Sequence, residues 1–348
     1  MGKLKNRIGL LVIAIAFLFT IVVLALNFWT SECYYSRNEL DESSRVKNWI
    51  KTYGWPAVLS SRSLLGNQLF SSDKTNNKKA QDIVEDGPVF ASVSVADWQK
   101  TDVQTLSKQQ IHDYLLWTNQ SSCQISQSFG GFLVSSANGL LVSFDGQKAV
   151  CLDQAVAPPP NKCLVYSFGI NNDWSFDEAM ELYGCQIFSF DPSMNVSNHN
   201  RTEAIHFYQM ALDDVDKDEW NKSKSIPSRT LASIYDMLNS LHGGDSSVID
   251  YLKIDVETTE WRVLPQIIES GMMDKVRQLA VEIHLDCDKS IRHCRQQAGI
   301  LQSLEGYGMV RFDSKPNMYS KSIMNNDSVF NSYEIAWYNN RLVRGLRL

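Results

Sequence analysis

Residues 162–194 read KCLVYSFGINNDWSFDEAMELYGCQIFSFDPSM, and this stretch decides the fold. Leu164, Val165, Tyr166 and Phe168 form a short apolar run, the pattern of a strand buried on both faces. Gly169 lets the backbone turn and approach a ligand closely. Asn171, Asn172 and Asp173 suit a turn and a helix N-cap. Phe176, Ala179, Met180 and Tyr183 recur at helical spacing, and Gly184 ends that helix. A second strand covers 186–190, with Asp191 just past its end. An acid there can hold the hydroxyls of a ribose, while the turn after the first strand faces the rest of a nucleotide-like ligand. Phe168, Gly169, Asn171 and Asp191 are therefore candidate cofactor-binding residues. The stretch lacks G-x-G-x-x-G, so it offers no row of amides for a pyrophosphate. A nucleoside cofactor without pyrophosphate fits better.

Strands and helices continue to alternate downstream. Strands are expected at 204–210, 248–256 and 278–285, with helices at 229–241, 260–269 and 295–304. Pro265 argues for a late start or a kink in the second of these helices. Two further strands are expected at 309–312 and 334–338. Such alternation implies a mostly parallel sheet with right-handed crossovers, whose ligands bind at the carboxyl ends of the strands. Acids fall at several of those ends. Asp213 and Asp214 can accept from an adenine amino group, or are plain loop acids. Lys253, Asp255 and Glu257 belong to LKIDVETTEW. Lys253 either pairs with a neighbouring carboxylate or serves the site. Asp255 and Glu257 are candidates to orient an acceptor or draw off a proton. Glu282 and His284 lie in VEIHL, and His284 is a candidate general base because its ordinary pKa is near neutrality.

Upstream, a helix is expected at 105–117. The runs 140–144 and 148–152 read as a hairpin about the Asp145-Gly146 turn. Gly130 and Gly131 read as turn glycines in preference to a cofactor lid. Residues 157–160 form a rigid joint into the central motif.

The chain has 348 residues, net charge −6 and a pI of about 5.6, which gives no electrostatic support to a nucleic-acid partner. Residues 8–26 are uncharged and apolar, long enough to span a bilayer, and Lys3, Lys5 and Arg7 precede them. The expected organisation is a cytosolic tail at 1–7, a transmembrane signal anchor at 8–26, a luminal stem at 27–93 and a folded domain at 94–348. This is a single-pass type II membrane protein of the secretory pathway, in the Golgi or endoplasmic reticulum. A cleaved signal peptide is the alternative. Sequons at Asn119, Asn195, Asn200, Asn221 and Asn326 fit a lumen. So do the 7 cysteines, which show no C-x-x-C spacing, so no metal site is expected from them. Cys123 with Cys151 and Cys287 with Cys294 are the expected disulfides. Cys163 and Cys185, on the two strands of the central motif, can pair, but are read in preference as buried free thiols. Cys33, beside the membrane, can link two chains.

Together, SFGINNDWSFDEAMELYGC, FSFDPSM and LKIDVETTEW resemble the FkbM-like class I methyltransferases, among them the membrane-anchored methyltransferase-like protein 24 group. The resemblance runs from about Leu106 to the C-terminus. It implies a Rossmann-like α/β sheet of order 3-2-1-4-5-7-6 with the last strand antiparallel. It also implies S-adenosylmethionine as cofactor, held by the turn at Gly169 and by Asp191. The family's G-x-G is F-G-I-N-N here, and Thr258 stands where FkbM relatives have Gly. The expected reaction is methyl transfer to an acceptor oxygen, with a glycan hydroxyl as acceptor class on grounds of location. Two rivals remain. One is a luminal glycosyltransferase binding a metal through Asp286 and Asp288. The other is a binding module that kept the fold without catalysis.

Overall fold

A computed structural model describes residues 100–119, 121–135, 142–222, 226–287, 290–324 and 327–343. They lie in one compact unit, Pro88–Leu348. The expected anchor at 8–26, the stem, Cys33, Asn326 and Asp288 fall outside the described residues. Among the described residues no helix is long and apolar enough to cross a membrane.

Helix α1 spans Lys108–Leu116, shorter than expected because Ser107 caps it in a capping box with Gln110. Four strands follow: β1 (Ser126–Phe129), β2 (Phe132–Ser135), β3 (Val142–Asp145) and β4 (Lys148–Cys151). The expected hairpin about Asp145-Gly146 does not form. β3 pairs with β2, and β4 pairs with β1, both antiparallel. The four strands make one long bent ribbon. Its register sets Gly130 and Gly131 against Gly146 and Gln147, so the glycines bend the ribbon instead of turning the chain. A side chain at Gly130 would overlap the backbone of Phe176, so this bend rests directly on the next helix.

The central motif folds as read: β5 (Leu164–Phe168), α2 (Ser175–Tyr183) and β6 (Gln186–Phe190). Gly184 caps α2 in the left-handed conformation. Then come β7 (His199–Asn200), β8 (Ile205–Tyr208), β9 (Ala211–Leu212), β10 (Ser228–Arg229), α3 (Leu231–Met237), β11 (Tyr251–Ile254) and α4 (Glu260–Glu269). Pro265 sits inside α4 without ending it. The chain finishes with β12 (Gln278–His284), α5 (Ile291–Tyr307), β13 (Met309–Pro316), β14 (Lys321–Met324), β15 (Asp327–Phe330) and β16 (Ser332–Asn339). α5 starts earlier than expected because Ser290 caps it.

The main sheet has order β13-β16-β12-β11-β5-β6-β8-β7. β12, β11, β5, β6 and β8 are parallel neighbours, and β16 runs antiparallel between β12 and β13. From β8 to β13 this is the expected order. Burial on both faces explains the continuous apolar strands. On one face Tyr166, Phe188, Leu252 and Leu279 meet α1, α3, α4 and α5. On the other, Val165, Ile187, Tyr251 and Ala280 meet α2 and the ribbon. Fully buried side chains of this size each contribute roughly 1.5–3 kcal/mol, and they make up the main stabilisation of the sheet.

Three disulfides tie the described residues: Cys123–Cys151, Cys287–Cys294 and Cys163–Cys185. The first two are the expected pairs. The third is the pairing open to Cys163 and Cys185, and it corrects the preferred reading of them as free thiols. Leu164 is in register with Gln186, so the residues just before them face each other, with Cα atoms 4.4 Å apart. Closing that loop stabilises the fold by about 3 kcal/mol in the chain-entropy account. The variant Cys163→Ala/Cys185→Ala is expected to lose about that much unfolding free energy in urea. Equal stability of variant and parent, with free thiols at both positions in the parent, would contradict the linkage.

Candidate functional site

A cavity of about 750 Å³ opens at the carboxyl ends of β5, β6, β11 and β12. That volume lies within the range of small-molecule sites. Its floor is the point where the chain leaves β5 for β6 on one side while β11 lies on the other, the usual crevice of a parallel sheet.

The turn after β5 forms the first wall. Gly169 has φ +80°, and any side chain there would overlap the carbonyl oxygen of Asp255. Asn171 and Asn172 also have positive φ, which asparagine tolerates better than most residues. Lys253 is buried and donates to the carbonyls of Gly169 at 2.6 Å and Phe168 at 3.4 Å. It thus secures the turn through carbonyls. Asp177 lies beneath, accepting from Ser189 Oγ at 2.6 Å and Ser167 Oγ at 3.3 Å. Burial pushes its carboxyl pKa up, against the charge of Lys253 and those two hydrogen bonds.

Asp191 lines the cavity as expected, but its carboxylate already serves the turn. Oδ2 accepts from the amides of Ile170 at 2.9 Å and Asn171 at 2.7 Å. Oδ1 accepts from Ser193 N at 2.7 Å and Ser193 Oγ at 2.6 Å. A carboxylate has about four acceptor positions, so a ribose must share or displace one of these partners. The wall beyond is apolar: Phe168 stacks on Phe190 at 4.6 Å between centroids, beside Met210, Ala211 and Leu212. Asp213 and Asp214 do not line the cavity, contrary to expectation. Arg262 draws both carboxylates, at 2.9 and 3.1 Å, and Lys217 takes Asp213 at 3.1 Å. Burial works to raise the Asp213 pKa, but hydrogen bonds from Asp214, then Lys217 and Arg262, outweigh it and lower the value.

The opposite end is charged. Asp255, Glu257, Glu282 and His284 line it together, as the strand-end reading anticipates for Asp255, Glu257 and His284. Behind them lies Lys148, a residue the sequence reading missed. Its side chain is fully buried. Nζ bonds Glu334 and stands 3.7 Å from Asp255 and 3.8 Å from Glu282. Burial works against the lysine charge, but Glu334, Asp255 and Glu282 outweigh it and raise its pKa above the usual range. Burial, with Glu282 and Asp255 nearby, pushes Glu334 up to about 8 despite Lys148. Burial raises Asp255, and Glu282 adds to this, while Lys148, Lys253 and His284 oppose. Glu257 is raised by burial and by its neighbouring acids, with His284 opposing. The available signal was a lone lysine opening the apolar strand KAVC and a lone glutamate inside SYEIAWYN.

His284 behaves differently from the expected base. Its Nδ1 lies 3.2 Å from Glu260 Oε1, and Nε2 lies 3.5 Å from Glu257 and 3.9 Å from Glu282. Burial works against its charge, yet the Glu260 hydrogen bond and charge, then Glu282 and Glu257, hold its pKa up to about 9. At neutral pH it is a cation and has no lone pair to take a proton. Asp255, Glu257 and His284 place one ligand atom each within 4.8 Å of one another, as do Asp145, Glu282 and Glu334; with His284 protonated, the first set offers a cation two carboxylates only.

The backbone after Asp255 is strained. Glu257 has φ +48° and Thr258 φ +71°, and a β-branched residue there costs roughly 1–3 kcal/mol. A glycine, the residue the family resemblance implies at the Thr258 position, would adopt this conformation without that cost. Phe132, Asp145 and Gly146 of the ribbon bend also line the cavity, as do Asn317 and Tyr319 between β13 and β14. Gly130 and Gly131 are absent from the lining, so they bend the ribbon and do not form a lid. Asp286 is absent as well; its carboxylate lies 3.6 Å from His293, and Cys287 is tied into a disulfide.

The raised pKa of His284 has a consequence for stability. The folded value of about 9 exceeds the unfolded value of about 6.5. The contribution is therefore complete below pH ~6.5 and is lost as pH rises through ~9. The stability advantage of the parent over His284→Gln, measured by urea unfolding, is expected to shrink between those pH values. A pH-independent advantage would mean that the imidazole is neutral.

Residues 93–329 match a family described as a methyltransferase domain. A protein of Homo sapiens named "Probable methyltransferase-like protein 24" is 26% identical over 209 residues, covering 56% of this chain and 56% of that protein. Its Rattus norvegicus namesake is 26% identical over 208 residues, covering 55% of this chain and 56% of that protein. The chain thus spans about half the length of the curated relatives it matches. With a parallel sheet of this order and a cavity at its carboxyl edge, the chain belongs to the methyltransferase-domain family, has the class I methyltransferase fold and is related to the methyltransferase-like protein 24 group.

Proposed function

We propose that the protein moves a methyl group from S-adenosylmethionine to an acceptor oxygen, a glycan hydroxyl, in the lumen of the secretory pathway. One observation carries the cofactor reading: the charge of the cavity. Asp145, Asp173, Asp191, Asp255, Glu257 and Glu282 line it, and its one lysine, Lys253, is spent on backbone carbonyls. Such a lining repels phosphates and favours a cationic ligand. It suits a sulfonium cofactor and opposes a dinucleotide or a nucleotide sugar. The apolar wall of Phe190, Met210 and Leu212 suits a flat base. The residues therefore fit S-adenosylmethionine.

When bound, that cofactor supplies a methyl group on positively charged sulfur. The protein does the rest. Gly169, Asn171 and the Asp191–Ser193 loop would hold the ribose side. Asp255 and Glu257, with raised pKa values, orient the acceptor hydroxyl and take its proton. His284, as a cation, keeps the Glu257 and Glu282 carboxylates in place. Alignment of acceptor and methyl supplies most of the rate.

Location supports the acceptor class. The apolar run at 8–26 behind Lys3, Lys5 and Arg7 would anchor the chain as a type II membrane protein. Disulfides and exposed sequons at Asn195, Asn200 and Asn221 suit a lumen. Cys33 would join two chains across the stem. The glycosyltransferase alternative loses support because Asp286 lies off the cavity.

Calorimetry on the purified full chain tests the reading. S-adenosylhomocysteine is expected to bind saturably, with at least about tenfold weaker binding in Asp191→Ala, which frees four bonds of the turn. Manganese-dependent binding of a nucleotide sugar, with no affinity for S-adenosylhomocysteine, would overturn it.

A further inference from the structure

The charged end of the cavity is one-sided in its hydrogen bonding. Its N–H donors are spent inside the protein. Lys148 Nζ bonds Glu334, and Lys253 Nζ donates to Gly169. Asn317 Nδ2 donates to Glu282 at 2.9 Å and reaches Asp145 at 3.4 Å. His284 Nδ1 is held by Glu260, and its Nε2 is drawn to the protein's own acids, 3.5 Å from Glu257 and 3.9 Å from Glu282. What faces the cavity is carboxylate: Asp145, Asp255, Glu257 and Glu282. A ligand seated here must bring donors and no negative charge, because an acceptor left facing these oxygens goes unpaired and an anion is repelled.

An amine brings donors, but carboxylates around it hold it protonated, and an ammonium has no lone pair with which to attack a methyl group. A hydroxyl keeps its lone pairs and gives its proton to a carboxylate. Phe132, 47% exposed at the same cavity, adds an apolar face of the kind a sugar ring covers.

We infer that the acceptor is an uncharged, hydroxyl-rich saccharide, and that Asp145 and Glu257 reject its sialylated, sulfated or phosphorylated counterparts. This rests on the reading of the cavity as an S-adenosylmethionine site. In the transfer, a lone pair of the acceptor oxygen forms the new O–C bond. The C–S bond breaks with its electron pair passing to sulfur, which leaves neutral S-adenosylhomocysteine. The hydroxyl proton passes to Asp255 or Glu257. Asp145 sits on the ribbon, outside that proton transfer, so it is a specificity residue.

The test uses the purified full chain, S-adenosylmethionine with a labelled methyl group, and matched pairs of neutral and acidic oligosaccharides. Label is expected in the neutral member at about tenfold or more over the acidic one. Asp145→Asn narrows that ratio several-fold, and Asp145→Lys narrows it further. Glu257→Gln is an independent check, read as the same ratio so that a lower overall rate does not matter. Equal or better labelling of the acidic member overturns the inference, as does a ratio unmoved by all three variants, or label confined to amines. No label in any saccharide, from protein that still binds S-adenosylhomocysteine, overturns the acceptor class and leaves the cofactor reading standing. Absence of S-adenosylhomocysteine binding removes the reading beneath it.

Discussion

A single buried cation holds the charged end of this molecule together. Lys148 leaves the ribbon and meets Glu334 on β16, Glu282 on β12 and Asp255 after β11. Each ion alone would be costly at a site this buried, and removing one member of such a set costs roughly 3–5 kcal/mol. The cluster therefore does two things. It fastens the ribbon to the sheet, and it fixes Asp255 and Glu282 at the cavity. Three acids share one lysine, so their negative charge is only partly offset. Burial leads in raising Glu334, Asp255 and Glu257 and the remaining negative charge adds to it, whereas the charge on His284 rests first on Glu260, with Glu282 and Glu257 adding.

The cavity divides into two ends with different physics. At the cofactor end, backbone geometry dominates. Gly169 is fixed by its approach to Asp255, Lys253 grips the turn carbonyls, and Asp191 gathers the turn amides. This end is built to stay still. At the acceptor end, side-chain charge dominates, and strain at Glu257 and Thr258 is held by the flanking β11 and α4. The ribbon bend and the segment between β13 and β14 wall this second end, which suits variation of acceptor on a constant scaffold.

Local patterns were readable in the chain. β5, α2 and β6 fall where their apolar spacing places them, because each pattern is complete within a few residues. The sheet order followed from the family resemblance, and the parallel sense of its strands from strand–helix alternation. Distant partnerships were not readable. Lys148 is 186 residues from Glu334, so nothing near it announces its role. The bond between Cys163 and Cys185 needs the register of two parallel strands. Asp145-Gly146 carries a strong turn signal, but the glycines opposite it convert the turn into a bend. Asp213 and Asp214 look like a ligand pair until Arg262, on a later helix, reaches them. His284 looks like a base until its three acidic neighbours are in place.

The central claim is that one cavity joins a nucleoside-binding turn to a carboxylate-lined acceptor end. A crystal structure of the disulfide-intact protein grown with S-adenosylhomocysteine tests it most directly. The account predicts the adenosine between the Gly169–Asn171 turn and the Phe190–Leu212 wall, with the sulfur directed toward Asp255. Adenosine bound elsewhere, or a sulfur turned away from Asp255 and Glu257, would contradict it.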